Sequence, residues 1–283
     1  MKQLKRIRIF VSTVVAVLLT SGIAGGAAFA ITDAEFLKRL QLFPALMSMQ
    51  IATIAFWVAF TCLFGRVYCS SVCPLGTLQD AAGRLGRIAI RHSHYRYAPP
   101  RNHLRYTVLI LTIASIIGGI AALPAILDPY TAYSRTIEAI VGRTALSATA
   151  GAGMATTASV IVAATATIVA FFRGRTFCNT LCPVGAALSL CSRRPRWHID
   201  IDTDKCTDCR RCEDVCKARC INLSDHTADM SRCVLCFDCI DKCDDDAISY
   251  TPFQRGAATP LMQRIRNLLA PRQEAALDAC SPA

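Results

Sequence analysis

Charge is scarce in this 283-residue chain: 18% of residues are Asp, Glu, Lys or Arg, against 53% hydrophobic. Soluble domains carry about 25% charged residues, so the composition argues against a wholly soluble protein. Acidic residues are scarcest in the first part. Residues 1–172 hold 15 Lys and Arg against 5 Asp and Glu, whereas residues 173–283 hold 16 against 15. The formal +11 therefore sits beside apolar segments, a pattern of membrane orientation rather than of nucleic-acid binding. No Cys-x-x-Cys-His occurs, so haem attachment is not indicated. No phosphate-binding Gly loop, nucleophilic triad or acid/base pair is visible. Catalytic residues are thus unassigned, and any catalysis would be redox work.

Four runs lack every Asp, Glu, Lys and Arg: 9–32, 40–65, 106–127 and 144–172. Each reaches the roughly 20 residues a spanning helix needs. The expected spans are about 9–31, 42–64, 106–127 and 154–172, with Pro124 kinking or ending the third. Ala28-Phe29-Ala30 offers a signal-peptidase reading of the first run, but its length favours a retained helix.

Orientation follows from basic residues near the span ends. Four precede the first span (Lys2, Lys5, Arg6 and Arg8), and seven Arg lie in 66–105. Arg173, Arg175, Arg193, Arg194 and Arg196 follow the last span. Loops 33–39 and 128–143 are balanced. The N-terminus, 66–105 and everything after 173 are therefore expected in the cytoplasm, with most of these Arg solvated or at lipid headgroups.

Sixteen Cys exceed what packing requires, and ten lie between Cys191 and Cys243. Cys206-x2-Cys209-x2-Cys212-x3-Cys216 is repeated as Cys233-x2-Cys236-x2-Cys239-x3-Cys243. Two-residue spacers let three thiolates wrap one cubane, and the fourth comes from the other repeat. One [4Fe–4S] cluster is expected on Cys206, Cys209, Cys212 and Cys243. A second is expected on Cys216, Cys233, Cys236 and Cys239. Structural zinc explains two-residue spacers, but not a repeated eight-Cys pattern. "HIDID", "CINLS" and "AISYT" read as short strands around these turns. The extra Cys220 could substitute for Cys216; it is read as a spectator buried thiol.

A second internal repeat joins "GRVYCSSVCPLG" (65–76) to "GRTFCNTLCPVG" (174–185). Cys69/Cys73 and Cys178/Cys182 stand at i and i+4, on one helix face, and Pro74 and Pro183 should end or kink the helix. Three readings stand: a further metal or iron–sulfur centre, a dithiol or quinol-facing redox site, or a packing signature of duplicated helix ends. Cys62 is read as core. Cys191 and Cys280 have no partner at ligand spacing. His92, His94 and His103 are read as surface residues.

The fold class is an α-helical membrane protein of four transmembrane helices with a small α+β two-cluster ferredoxin-like domain at the C-terminus. Its parts are a membrane domain (1–190), the ferredoxin-like domain (196–252) and a basic amphipathic tail (253–283) fit to lie on a membrane surface or on its own domain.

The two "GR-x-[YF]-C-x3-CP-[LV]-G" motifs, "PPRNHLRY" (99–106), "DPYTAYSR" (128–135) and the eight-Cys pattern together resemble the NapH/MauN-type membrane ferredoxin family. That family includes the quinol dehydrogenase membrane component of periplasmic nitrate reductase systems and a ferredoxin-type protein of methylamine utilisation. Lys217 and Asp244 replace the Pro that usually follows the fourth Cys. The resemblance implies a bacterial inner-membrane, multi-pass electron-transfer subunit with its ferredoxin domain on the cytoplasmic side. It implies exchange with the quinone pool, quinol or quinone as cofactor, and a second ferredoxin-type or periplasmic redox partner. An assembly or maturation factor supplying electrons or metal to a redox enzyme is the alternative.

Overall fold

A computed structural model describes residues 2–25, 39–90, 95–119, 122–142 and 150–252. The Ala28-Phe29-Ala30 segment, His92, His94, Cys280 and the tail lie outside the described residues.

Among the described residues, two helices are long and apolar enough to cross a membrane: α1 (Lys2–Gly25), through Gln3–Gly25, and, further along the chain, Ala150–Arg173, through Gly153–Arg173. The other two expected spans are interrupted. In 42–64, α2 (Leu42–Met47) is parted from α3 (Ile51–Phe64) by a turn at Met49, whose φ is 53°. In 106–127, α6 (Asn102–Ile117) stops at Gly118 and Gly119, the latter at φ 73°. The Gly pair, not Pro124, ends that helix: Pro124 lies within α7 (Ala122–Leu127). At 14 and 16 residues, α3 and α6 fall short of the roughly 30 Å hydrocarbon core at about 1.5 Å per residue.

The stretch 66–105 holds α4 (Val67–Ser71) and α5 (Pro74–Ala89). The stretch 128–143 is not a plain loop. Asp128 caps α8 (Pro129–Ile140), accepting from the Thr131 backbone N–H at 2.7 Å, with Pro129 at the first helical position. Helix α9 is Ala150–Arg173; α5 and α8 both pack along it. After it come α10 (Thr176–Thr180) and α11 (Pro183–Cys191).

The C-terminal unit pairs β1 (Trp197–Ile201) antiparallel with β4 (Ile248–Pro252), Ile199 opposite Tyr250. Between them lie α12 (Arg211–Val215), β2 (Ile221–Asn222), β3 (Thr227–Ala228) and α13 (Asp238–Lys242). Strand β3 escaped the sequence reading because two residues carry no alternation.

This unit is welded to the helices. Lys5 of α1 reaches Asp238 at 2.9 Å and Asp241 at 2.8 Å. Tyr250 donates to the Phe64 carbonyl at 2.9 Å, and the Trp197 ring stacks near Phe64. The start of α1 and the ends of α3 and α9 therefore adjoin the same small domain. One buried apolar cluster runs from Trp57 and Ala166 to Ile201 and Ile248.

Helices α5 and α9 approach closely at Gly86, where an added methyl would collide with the Phe171 carbonyl. Gly86→Ala should lower stability by about 1–3 kcal/mol through overpacking. Thermal unfolding in detergent micelles reads this.

Candidate metal centres

Each ferredoxin repeat wraps a cavity. One is lined by Cys206, Cys209, Cys212 and Cys243 and walled by Ile201, Leu223, Ala247 and Ile248. The other is lined by Cys216, Cys233, Cys236 and Cys239, with Ile199, Val234 and Phe237. Each quartet thus takes three sulfurs from one repeat and one from the other. The backbone repeats as well: Arg210 precedes α12 at φ 59°, and Phe237 precedes α13 at φ 58°. Such left-handed residues tighten the turn so that three thiols converge.

Cys220, read from the sequence as a spectator buried thiol, lies on the wall of the second cavity. It is buried, its Sγ 3.6 Å from that of Cys216. Hydrogen bonding from Cys220 favours the Cys216 thiolate over its ordinary state.

The second repeat also forms a site. Gly65 and Gly174 end α3 and α9 with φ of 87° and 66°, a left-handed turn that an L side chain resists. Chain direction then changes abruptly. Cys69 lies in α4 and Cys178 in α10, whereas Cys73 and Cys182 are the N-cap residues of α5 and α11. The Pro residues do not end a helix here; Pro74 and Pro183 start one, at the position where a missing N–H costs nothing.

All four thiols are buried. The two halves meet at the motif Arg residues: Arg66 contacts both Cys69 and the Cys178 backbone, and Arg175 contacts the Cys69 backbone. Burial pushes the Cys178 thiol up to about 11 despite the opposing Arg175 guanidinium. Burial also raises Cys73 and Cys182. Burial therefore favours the neutral form of Cys73, Cys178 and Cys182 unless a metal cation takes the proton's place.

The Arg of each motif is not at lipid headgroups, as expected from sequence, but buried between the halves. Arg66 and Arg175 are both 0% exposed. Arg66 donates to the Cys178 carbonyl at 3.4 Å, to Asn179 Oδ1 at 2.7 Å and to Cys69 Sγ at 3.7 Å. Reciprocally, Arg175 donates to the Cys69 carbonyl, and to the Gly76 carbonyl at 2.9 Å. Gly76 and Gly185 leave room for this crossing: a methyl there would strike the Cys69 and Cys178 carbonyls. Arg105 is also buried, donating to the Ser231 carbonyl at 2.9 Å and that of Gly185 at 3.3 Å.

Asp80 balances this charge. It pairs with Arg8, with Arg175 at 2.8 Å and with Lys217 at 3.5 Å. Despite burial, these cations hold its carboxyl far below the usual carboxylate range. Lys217, where ferredoxins usually carry Pro, is 1% exposed and reaches Asp238 at 2.9 Å. Its carbonyl accepts from the Arg175 backbone N–H at 2.8 Å. Arg8 also donates to the Ser70 carbonyl at 3.2 Å and the Cys236 carbonyl at 3.5 Å. The network joins both thiol sites. Sequence reasoning missed it, although Asp80 is the one acidic residue between Glu35 and Asp128.

These donor sets suit iron–sulfur clusters. Four thiolates on an oxidised cubane leave net negative charge, and Arg66 and Arg175 stand beside the Cys-x3-Cys-Pro motifs. Gln79 Oε1 accepts from Cys178 Sγ at 3.0 Å. Its Nε2, like Arg66 Nε, is buried without a hydrogen-bond partner among the described residues. Such donors cost ~1–3 kcal/mol when left unpaired, and cluster sulfurs are acceptors for them.

One other expectation changes. Cys62 is exposed on α3, not core. Cys191, which has no partner at ligand spacing in the sequence, hydrogen-bonds Cys62 through its thiol. His103 opens α6 and is exposed, as expected.

Comparison with known proteins agrees with this chemistry. One family model, a 4Fe–4S binding domain, matches residues 46–92 and 155–201, and a second 4Fe–4S binding domain model matches 197–218. Among curated proteins, an uncharacterized protein of Methanocaldococcus jannaschii is 25% identical over 80% of this chain and 80% of its own length. Another from the same organism is 27% identical over 71% of this chain and 78% of its own length. The Escherichia coli protein provisionally named electron transport protein YccM is 24% identical over 71% of this chain, which spans 55% of that protein. No solved structure matches. Both matching models describe 4Fe–4S binding domains: the first takes in Cys69, Cys73, Cys178 and Cys182, and the second Cys206, Cys209, Cys212 and Cys216.

Removing the central counter-charge with Asp80→Asn should cost about 3–5 kcal/mol by leaving buried cations unpaired. The Asp80 carboxyl is depressed in the folded state, so its contribution is complete above the unfolded value of about 3.9 and is lost on acidification below it. Denaturant unfolding in micelles should give a wild-type-to-variant difference that stays flat between about pH 8 and about pH 5.

Proposed function

We propose that this chain is a multi-pass electron-transfer protein of the cytoplasmic membrane that holds three iron–sulfur centres. The carrying observation is that Cys69, Cys73, Cys178 and Cys182 are all buried where Arg66 and Arg175 cross between the two repeats, against the domain that bears the eight-Cys pattern. In this reading Cys206, Cys209, Cys212 and Cys243 hold one [4Fe–4S] cluster, and Cys216, Cys233, Cys236 and Cys239 a second. The membrane-edge thiols hold the third. Support for the third comes from the 4Fe–4S family model, whose two matches each include one Cys-x3-Cys-Pro motif. When bound, such clusters supply one-electron redox chemistry.

The chain's own residues prepare the sites for that work. Arg66 and Arg175 bring cationic charge beside the membrane-edge thiols and fix the two halves together. Leu223, Ile248, Ile199 and Phe237 wall the ferredoxin cavities against water. Arg8 ties the Ser70 carbonyl to the Cys236 carbonyl, holding the neighbouring sites at a set spacing. Fixed spacing matters because electron transfer falls off with distance.

Four helical passes, formed by α1, α3 with α2, α6 with α7, and α9, would set the ferredoxin domain in the cytoplasm. The basic residues near these ends support that orientation. The electron partners in this reading are membrane quinol and a second ferredoxin-type or periplasmic redox protein. The pathway classes are nitrate reduction and methylamine utilisation.

Anaerobically purified protein should contain about twelve iron atoms and as many acid-labile sulfides per chain. Cys69→Ser with Cys178→Ser should remove about four of each and slow reduction by quinol in nanodiscs. Unchanged iron and unchanged reduction would contradict the third centre.

A further inference from the structure

Cys220 is the thiol on a ferredoxin cavity that the eight-Cys spacing leaves unused. It is 1% exposed. Its Sγ lies 3.6 Å from Cys216 Sγ, and its side chain also hydrogen-bonds Cys233. A tight turn brings it there: Arg219 stands at φ 53°, and the Cys220 backbone N–H points to Cys216 Sγ at 3.5 Å. Five thiols thus line one cavity.

The internal repeat provides the comparison. The offset that pairs Cys206 with Cys233 also pairs Arg219 with Asp246, at φ 53° and 48°. It pairs Cys220 with Ala247, which lines the other cavity beside Cys243. The same backbone places both positions on a cavity wall, and sulfur stands at one of them.

We propose that Cys220 is an alternative fourth ligand, so that either Cys216 or Cys220 completes the set with Cys233, Cys236 and Cys239. This rests on the cluster reading above. In the exchange, the Cys220 thiol releases its proton as it takes iron, and the displaced Cys216 thiolate takes one up. Charge and electron count stay constant, so no oxidant or reductant is needed. The consequence is a cluster that survives loss or oxidation of one ligand.

The test uses the full chain, purified anaerobically, with iron, acid-labile sulfide and the low-temperature EPR of the dithionite-reduced protein as readouts. Cys216→Ala and Cys220→Ala should each keep the wild-type iron content, with EPR lines shifted in Cys216→Ala. The double variant should lose about four iron atoms. Cys243→Ala should lose as much alone, and adding Ala247→Cys should restore it. Equal iron loss in Cys216→Ala and the double variant would overturn the proposal. Should Cys216→Ala fail to accumulate, the Cys243→Ala/Ala247→Cys pair decides: iron regained supports the exchange, none regained overturns it. Iron-free wild-type protein would instead sink the cluster reading itself.

Discussion

Two buried guanidiniums hold this molecule together. Arg66 and Arg175 each leave one membrane-edge repeat and bind the backbone of the other, across the four thiols. Neither could be buried alone, since an unpaired charge in a low-dielectric interior costs several kcal/mol. Carbonyl acceptors, Asn179 and Asp80 supply the compensation. The Gly before each Arg turns the chain, the Cys supply sulfur, the Pro restarts the helix, and the last Gly makes room for the crossing Arg. The motif reads as a complete mechanical unit, used twice.

The same charges reach the ferredoxin domain. Asp80 gathers Arg8, Arg175 and Lys217, and Lys217 passes the connection to Asp238, which also binds Lys5. Replacing the usual Pro by Lys217 therefore has a physical consequence: a turn-shaping residue is exchanged for a buried ionic tie. A ferredoxin tethered by ion pairs, by Tyr250 on Phe64 and by Arg105 on Ser231 cannot swing freely. Its spacing from the membrane-edge thiols is fixed by the fold.

The eight-Cys spacing is a local property legible in the chain, and its sulfurs line two cavities in the structure, with Cys220 added to one of them. The first and last apolar runs became long helices for the same reason. The middle runs did not, because Met49 and the Gly118–Gly119 pair break helices that hydrophobicity alone would continue. Burial of Arg66, Arg105 and Arg175 was invisible, since a basic residue after an apolar run looks the same at a headgroup as between two packed repeats. Helix α8 could have been found: Asp128 followed by Pro129 is a helix start. The sequence left Cys220 open as a substitute for Cys216, and the turn at Arg219 that folds it back onto Cys216 is visible only in three dimensions.

In the proposed function, Cys69, Cys73, Cys178 and Cys182 share one metal centre. A cryo-EM map of the anaerobically purified protein in nanodiscs tests it most directly. The account predicts one compact density, stronger than any side chain, in contact with Cys69, Cys73, Cys178 and Cys182. An empty space between four separate thiols, or two disulfides, would contradict it.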